Sequence, residues 1–297
     1  MTSYKVRRVP RHEMRRVRGL EMHLTRWGPE SAGAEPPLFL LHGFQDTGDT
    51  FQFIVDEFVQ DRAMVAVDWR GFGRSEWSRD GYWFPDYLAD LDALLDQLSP
   101  QVPARLVGHS MGGNIASLFA GVRPERVRCV VNLEGFGLAR TKPEQAPGRF
   151  RKWLDQLKSA PSIKDYDSFE QLVTVIRFRY PRFPVAHAEF VAASWAKLDD
   201  GGRVRLLGDP RHRHVNPVLY KREDAQACWQ AARAPMLMLL GEVSDLREKL
   251  GADTEPNAIR TNMPGIEIAT ISGAGHMMHI EKPELVAPLV EAFLNAH

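Results

Sequence analysis

The chain has 297 residues, 44% of them hydrophobic and 26% charged, with 38 basic side chains against 38 acidic ones. This composition is that of a globular protein with a substantial core, and the balanced charge gives no global pull toward nucleic acid or an anionic membrane. The length suits one large domain or one domain with an inserted lobe, and the two cysteines, Cys129 and Cys228, form no C-x-x-C pair, which points to buried thiols in a reducing, cytoplasmic compartment.

The N-terminal stretch is locally basic: Lys5, Arg7, Arg8, Arg11, Arg15, Arg16 and Arg18. On an edge hairpin such charges discourage strand-to-strand aggregation, and with no apolar run behind them they do not read as a secretory signal. No segment is long and apolar enough to span a bilayer. Two short strands are expected over about 13–27, turning at Gly19-Leu20. Leu38–Leu41 and Ala63–Val67 are short continuous apolar runs, the mark of strands buried on both faces. The first ends at His42-Gly43-Phe44 and the second at Asp68-Trp69-Arg70-Gly71-Phe72-Gly73, with a helix pattern near Thr50–Val59 between them. Pro85–Leu98 is an amphipathic helix with Leu88, Leu91, Leu94, Leu95 and Leu98 on one face. Strand Arg105–Val107 runs into Gly108-His109-Ser110-Met111-Gly112 and a following helix, then strand Val127–Leu133. After Pro235 the rhythm resumes with strands Met236–Leu240 and Ile266–Ile271 and a last helix over roughly Pro283–Asn295. Strands alternating with helices through short turns predict a mostly parallel sheet covered on both faces.

Between about Phe136 and Ala234 that rhythm breaks. The stretch is rich in aromatics and arginine and patterned mostly as helix. We read core over 1–135 and 235–297 and a helical lid insertion over 136–234, covering the strand ends where ligands bind in open α/β sheets. Lid aromatics such as Trp195 are candidate substrate contacts, as is His109 beside the turn serine. Arg177, Arg179 and Arg182 are candidates to clamp a substrate carboxylate.

The chemistry centres on Ser110. A G-x-S-x-G pentapeptide acquires a mechanism when a strand precedes it and a helix follows, because the sharp turn exposes the hydroxyl. A serine hydroxyl is a poor nucleophile at neutral pH and needs a base, an orienting acid and an oxyanion site. His276, in Gly273-Ala274-Gly275-His276, follows the last strand and is the base; His279 is its neighbour and competitor. The acid is Asp245, in Gly241-Glu242-Val243-Ser244-Asp245, with Glu134 after the sixth strand as the alternative. Backbone N–H groups of Phe44 and Met111 are the oxyanion donors, each worth about 3–4 kcal/mol in such sites. His212 with His214, and His276 with His279, have metal-like spacing but no evident third ligand, so no metal is expected. No phosphate loop or dinucleotide fingerprint occurs, and no cofactor is implied.

These motifs together, His42-Gly43-Phe44, Asp68–Ser75, Gly108–Gly113, Gly241–Asp245 and Gly273–His276, resemble the α/β-hydrolase-fold serine hydrolases over nearly all of the chain outside the lid. The Glu-Gly-Phe stretch at 134–136 and the region Tyr220–Trp229 resemble, more loosely, a bacterial branch near the serine-hydrolase-like proteins. The resemblance implies an eight-stranded, mostly parallel sheet and the order Ser110, Asp245, His276. It places Asp68 as a loop brace. Haloalkane dehalogenases and epoxide hydrolases of this fold attack with an aspartate, whereas position 110 is serine. The expected activity is therefore hydrolysis of a small or medium acyl ester through an acyl-enzyme. Cleavage of a carbon–carbon bond in a vinylogous diketone, lactone or amide hydrolysis, perhydrolysis, and slow-turnover ligand sensing are the alternatives. The expected partner is a small-molecule ester, not nucleic acid or membrane.

Overall fold

The basic N-terminal stretch leads into the expected hairpin, β1 (Arg11–Val17) and β2 (Leu20–Trp27), in a computed structural model that describes residues 3–30, 35–159 and 161–297. Chain order continues with β3 (Leu38–Leu41), α1 (Gln52–Glu57), β4 (Met64–Val67), α2 (Phe84–Leu98), β5 (Ala104–His109), α3 (Met111–Val122) and β6 (Val127–Leu133). The intervening segment holds α4 (Ala146–Leu157), α5 (Phe169–Arg179), α6 (Val185–Trp195), the small hairpin β7 (Ala196–Leu198) and β8 (Val204–Leu206), and α7 (Arg222–Ala231). The chain closes with β9 (Met236–Gly241), α8 (Asp245–Leu250), α9 (Pro256–Asn262), β10 (Glu267–Ile271), α10 (Met278–Glu281) and α11 (Pro283–Ala296).

The main sheet has eight strands in the order β1-β2-β4-β3-β5-β6-β9-β10. β1 and β2 run antiparallel at one edge and the remaining six are parallel to one another. The continuous apolar runs explain why the centre is parallel and doubly covered. Along β3, Phe39 and Leu41 join the core beneath α2 and α3, while Leu38 and Leu40 join the core beneath α1 and α11. Met64 and Ala66 against Val65 and Val67, and Leu237 and Leu239 against Met238 and Leu240, divide in the same way. A strand that alternates apolar with apolar has no face to give to water.

The intervening segment departs from the sequence reading in two ways. It contains the β7–β8 hairpin, too short to be legible as strand. And α7, read as lid, packs its Ala225 and Trp229 into the core beside α3, with a Cβ at Gly121 leaving no room for the backbone of Cys228. A third apolar cluster joins α5 and α6 (Leu172, Ile176, Ala188, Val191) to Phe53, Met277 and Ile280 of the sheet domain. The basic stretch is largely paired: Arg7 with Glu57, Arg18 with Asp86 and Asp90.

Candidate active site

The carboxyl ends of β3, β5, β6, β9 and β10 meet at one edge, where ligands bind in parallel sheets. Registers set the neighbours: Leu41 of β3 lies beside Gly108 of β5, and His109 of β5 beside Leu133 of β6. Ser110 and Glu134 each follow directly. Among the described residues four non-glycine positions have positive φ, and three of them, Gln45, Ser110 and Glu134, sit on these strand ends. Ser110 itself has φ 52° and ψ −111°, a conformation costing roughly 1–3 kcal/mol that the surroundings must enforce.

The glycines do the enforcing by proximity. A Cβ on Gly112 would lie 1.9 Å from the Leu41 carbonyl oxygen, and one on Gly108 would lie 2.4 Å from that of Gly112. Strand β3 and helix α3 therefore close on the serine turn with no side chain between them. Asn132 locks the turn to β6: its amide donates to Ser117 Oγ at 2.8 Å and to the Gly135 carbonyl at 3.0 Å, and its oxygen accepts the Gly135 N–H at 2.6 Å.

His276 and Glu134 come together. His276 Nδ1 is 2.8 Å from Glu134 Oε2, and since a carboxylate only accepts, the ring proton is on Nδ1 and the lone pair on Nε2. Glu134 is fully buried, and its other bonds hold it rigidly: Oε1 accepts the Gly241 N–H at 2.7 Å and Oε2 the Ser244 hydroxyl at 2.6 Å. Asp245, the expected acid, lies near enough to feel the His276 charge but is bonded to another residue. Its side chain is 63% exposed and takes the Lys249 ammonium at 2.6 Å, which holds its carboxyl below the usual range. The physical reason is the first residue of α8: Asp245 projects along the helix surface to its i+4 partner, while Ser244 turns inward to Glu134. Ser244 is the site residue that the sequence reading missed; a serine one position before an acid carries no distinguishing signal.

The turn after β3 is braced from below. His42 is fully buried; its Nδ1–H donates to the Gly43 carbonyl at 2.7 Å and its Nε2 accepts the Trp69 N–H at 2.9 Å. Burial lowers its pKa, consistent with the neutral tautomer those bonds require. A Cβ on Gly43 would stand 3.2 Å from Ser110 Cβ, so the backbone before Phe44 passes against the serine. Met111 opens α3, where N–H groups have no intrahelical acceptor. Asp68 braces loops as expected, accepting from His23 Nδ1–H, Gly48 N–H and Arg74 N–H at 2.9, 2.7 and 3.0 Å. Burial pushes its carboxyl up, but His23, His42 and the Arg74 N–H together outweigh that and leave it below the usual range.

The candidate substrate contacts separate. His109 is buried beneath the turn and its Nε2–H donates to the His276 carbonyl at 3.0 Å. Arg177 is exposed on α5, and Arg182 pairs with Glu281 at 2.7 Å. Trp195 lines a cavity of about 130 Å³ together with Gln45, Asp46, Arg179, Tyr180 and His212. That cavity starts one residue beyond Phe44, and the Trp195 indole N–H donates to Asp46 Oδ1 at 2.8 Å. A wider cleft of about 1380 Å³ on the far side of His212 is lined by Tyr82, Trp83, Trp153 and Arg211. His212 stacks between Phe72 and Tyr82, ring centroids 3.8 and 3.6 Å away, and so stands in the wall between the two.

No helix among the described residues is long and apolar enough to cross a membrane. The chain is 26% identical over 278 residues to a serine hydrolase-like protein of Danio rerio, covering 91% of this chain and 83% of that one. It is 31% identical over 309 residues to epoxide hydrolase 2 of Siraitia grosvenorii, covering 93% and 96%. Among solved structures, the thioesterase domain from the curacin biosynthetic pathway superposes with a TM-score of 0.82 at 24% identity, covering 96% of this chain and 99% of that one. With residues 36–202 matching the family model described as alpha/beta hydrolase fold, the chain belongs to the α/β-hydrolase family.

Proposed function

We propose that this α/β-hydrolase is a serine esterase that cleaves a small or medium acyl ester through an acyl-enzyme, with Ser110 as nucleophile, His276 as base and Glu134 as the orienting acid. The observation that carries the reading is the 2.8 Å bond between His276 Nδ1 and the fully buried Glu134 carboxylate. It leaves Nε2 as the free base, on a loop whose His276 carbonyl accepts from His109, the residue before Ser110. In the first step His276 Nε2 takes the Ser110 proton as Oγ attacks the ester carbonyl. The tetrahedral oxyanion is met by the Phe44 and Met111 N–H groups. The C–O bond then breaks, the alcohol leaving with the proton from His276. Water, deprotonated by the same nitrogen, attacks the acyl carbon and frees Ser110 and the acid product.

Epoxide opening of the aspartate-nucleophile type has no carboxylate at position 110, which argues against that activity despite the name of one relative. The inserted segment over 136–234, apart from the core-packed α7, supplies the lid, and the cavity of about 130 Å³ beginning beside Gln45 and Trp195 favours short acyl groups. The test is steady-state hydrolysis of p-nitrophenyl esters of graded acyl length by wild type and Ser110→Ala. Repeated turnover that falls to background in the variant supports the reading; a single burst, or no turnover on any ester, overturns it.

A further inference from the structure

Beneath the serine turn, two buried imidazoles have ring nitrogens with nothing to bind. His109 donates Nε2–H to the His276 carbonyl, so its Nδ1 keeps a lone pair. That Nδ1 and both ring nitrogens of His279 are enclosed and have no hydrogen-bond partner among the described residues. His109 is 2% exposed and His279 0%, and their ring centroids are 4.2 Å apart. A buried polar atom without a partner costs about 1–3 kcal/mol; other such atoms are scattered through the described residues, but these three are gathered on two rings in contact.

A carboxylate completes the cluster. Asp46 is 2% exposed, and its Oδ1 accepts the Thr47 N–H and Trp195 Nε1–H at 2.8 Å each. Its Oδ2 accepts the Thr50 hydroxyl at 3.0 Å and lies 3.7 Å from His279 Nε2, too far for a hydrogen bond. One ligand atom each from Asp46, His109 and His279 falls within 4.8 Å of the others. A point central to three atoms so spaced is no more than about 2.8 Å from each, against roughly 2.0–2.2 Å for zinc bonds to nitrogen and carboxylate. Small side-chain rotations close that gap. Burial keeps His109 neutral well into the acid range, the form in which imidazole ligates.

We propose that Asp46 Oδ2, His109 Nδ1 and one ring nitrogen of His279 form a binding site for a single divalent transition-metal ion, Zn²⁺ by preference. Two imidazoles and a carboxylate suit zinc, cobalt and nickel, whereas magnesium and calcium favour all-oxygen shells. The sequence pairing of His276 with His279 lacked a third ligand; the fold recruits Asp46 and His109 from turns far away in the chain and leaves His276 to Glu134. An ion here ties together the turns that carry Phe44, Ser110 and His276.

The test uses the full chain freed of metal by chelator dialysis. Added Co²⁺ should give a saturable visible absorption band at one ion per chain, and Zn²⁺ should displace it and raise the melting temperature. Asp46→Asn and His279→Gln should each weaken Zn²⁺ binding by at least about tenfold, whereas His214→Gln should not. If one of the two variants fails to fold, as judged by circular dichroism, the other decides. Failure of wild type to take up one ion, as a bound water in the site would produce, overturns the proposal, as does binding of equal strength in the folded site variants. None of these readouts depends on the ester being the substrate.

Discussion

His276 Nδ1 and Glu134 Oε2 lie 2.8 Å apart although 142 positions separate the two residues in the chain. The bond spans from the end of β6 to the loop after β10, two strands away in the sheet, because the intervening β9 ends at Gly241 and turns its own N–H onto the same carboxylate. The two acids of this edge are therefore unequal, and the difference is measurable.

Glu134→Gln should lower kcat/KM on a working ester about 10²–10⁴-fold, since the amide leaves His276 without its anionic partner and presents either tautomer to it. Asp245→Asn should stay within a few-fold of wild type, because its carboxylate serves Lys249. Steady-state kinetics on the two variants side by side decides the acid; the opposite ranking would return the role to Asp245.

Ser244→Ala removes the 2.6 Å hydroxyl bond to Glu134 Oε2. A hydrogen bond to a charged acceptor is worth about 1.5–3 kcal/mol, so a drop of about tenfold or more in kcat with KM little changed is expected. Ser244→Thr, which keeps a hydroxyl, should recover part of it. A loss confined to KM would mean that Ser244 acts on substrate and not on Glu134.

Gly112 and Gly148 make a contrasting pair. A methyl at Gly112 meets the Leu41 carbonyl at 1.9 Å, while one at Gly148 in α4 meets nothing within 4 Å. Gly112→Ala should destabilise by about 3 kcal/mol or more through backbone displacement. Gly148→Ala should stabilise by about 0.5 kcal/mol through reduced freedom of the unfolded chain. Urea midpoints read both, and a neutral Gly112→Ala would contradict the close approach of β3 to α3.

His212 sets an acid limit on stability. Burial between Phe72 and Tyr82 lowers its pKa to about 4, while in the unfolded chain it titrates near 6.5. Below pH 6.5 the unfolded state binds a proton that the folded state refuses, so the stabilisation is whole above 6.5 and is lost as the pH falls toward 4. The loss amounts to about 3 kcal/mol by pH 4. His212→Phe keeps the stack and removes the proton, so its stability should fall less steeply between pH 6.5 and 4. Identical slopes for variant and wild type would refute the assignment.

How much was legible follows from the range of each signal. The strands were readable because Leu38–Leu41 and Met236–Leu240 are apolar at every position, which only a doubly covered strand tolerates. The strand–turn–helix at Ser110 and the glycine-framed loop at His276 were readable because they are local: the turn at Gly108–Gly112 needs those residues within five positions of one another. The break in the strand–helix rhythm was half legible, since the loss of alternation after Phe136 is visible in the sequence, but the return of α7 to the core depends on Trp229 meeting α3 from a distant part of the chain.

The choice between Asp245 and Glu134 lay beyond the sequence. Both follow strands, both have acidic side chains, and chain order allows either. Only the packed sheet decides that β6 ends with its carboxylate turned in, fully buried and bonded to His276, Ser244 and Gly241, while helix α8 turns Asp245 out to water. The amino-acid sequence by itself determined the sheet, the serine turn and the histidine loop, because each is written in neighbours along the chain. The burial of Glu134 against His276, and the gathering of Asp46, His109 and His279 beneath the turn, belong to the tertiary structure, because they depend on which strand ends lie side by side and which side chains the interior encloses.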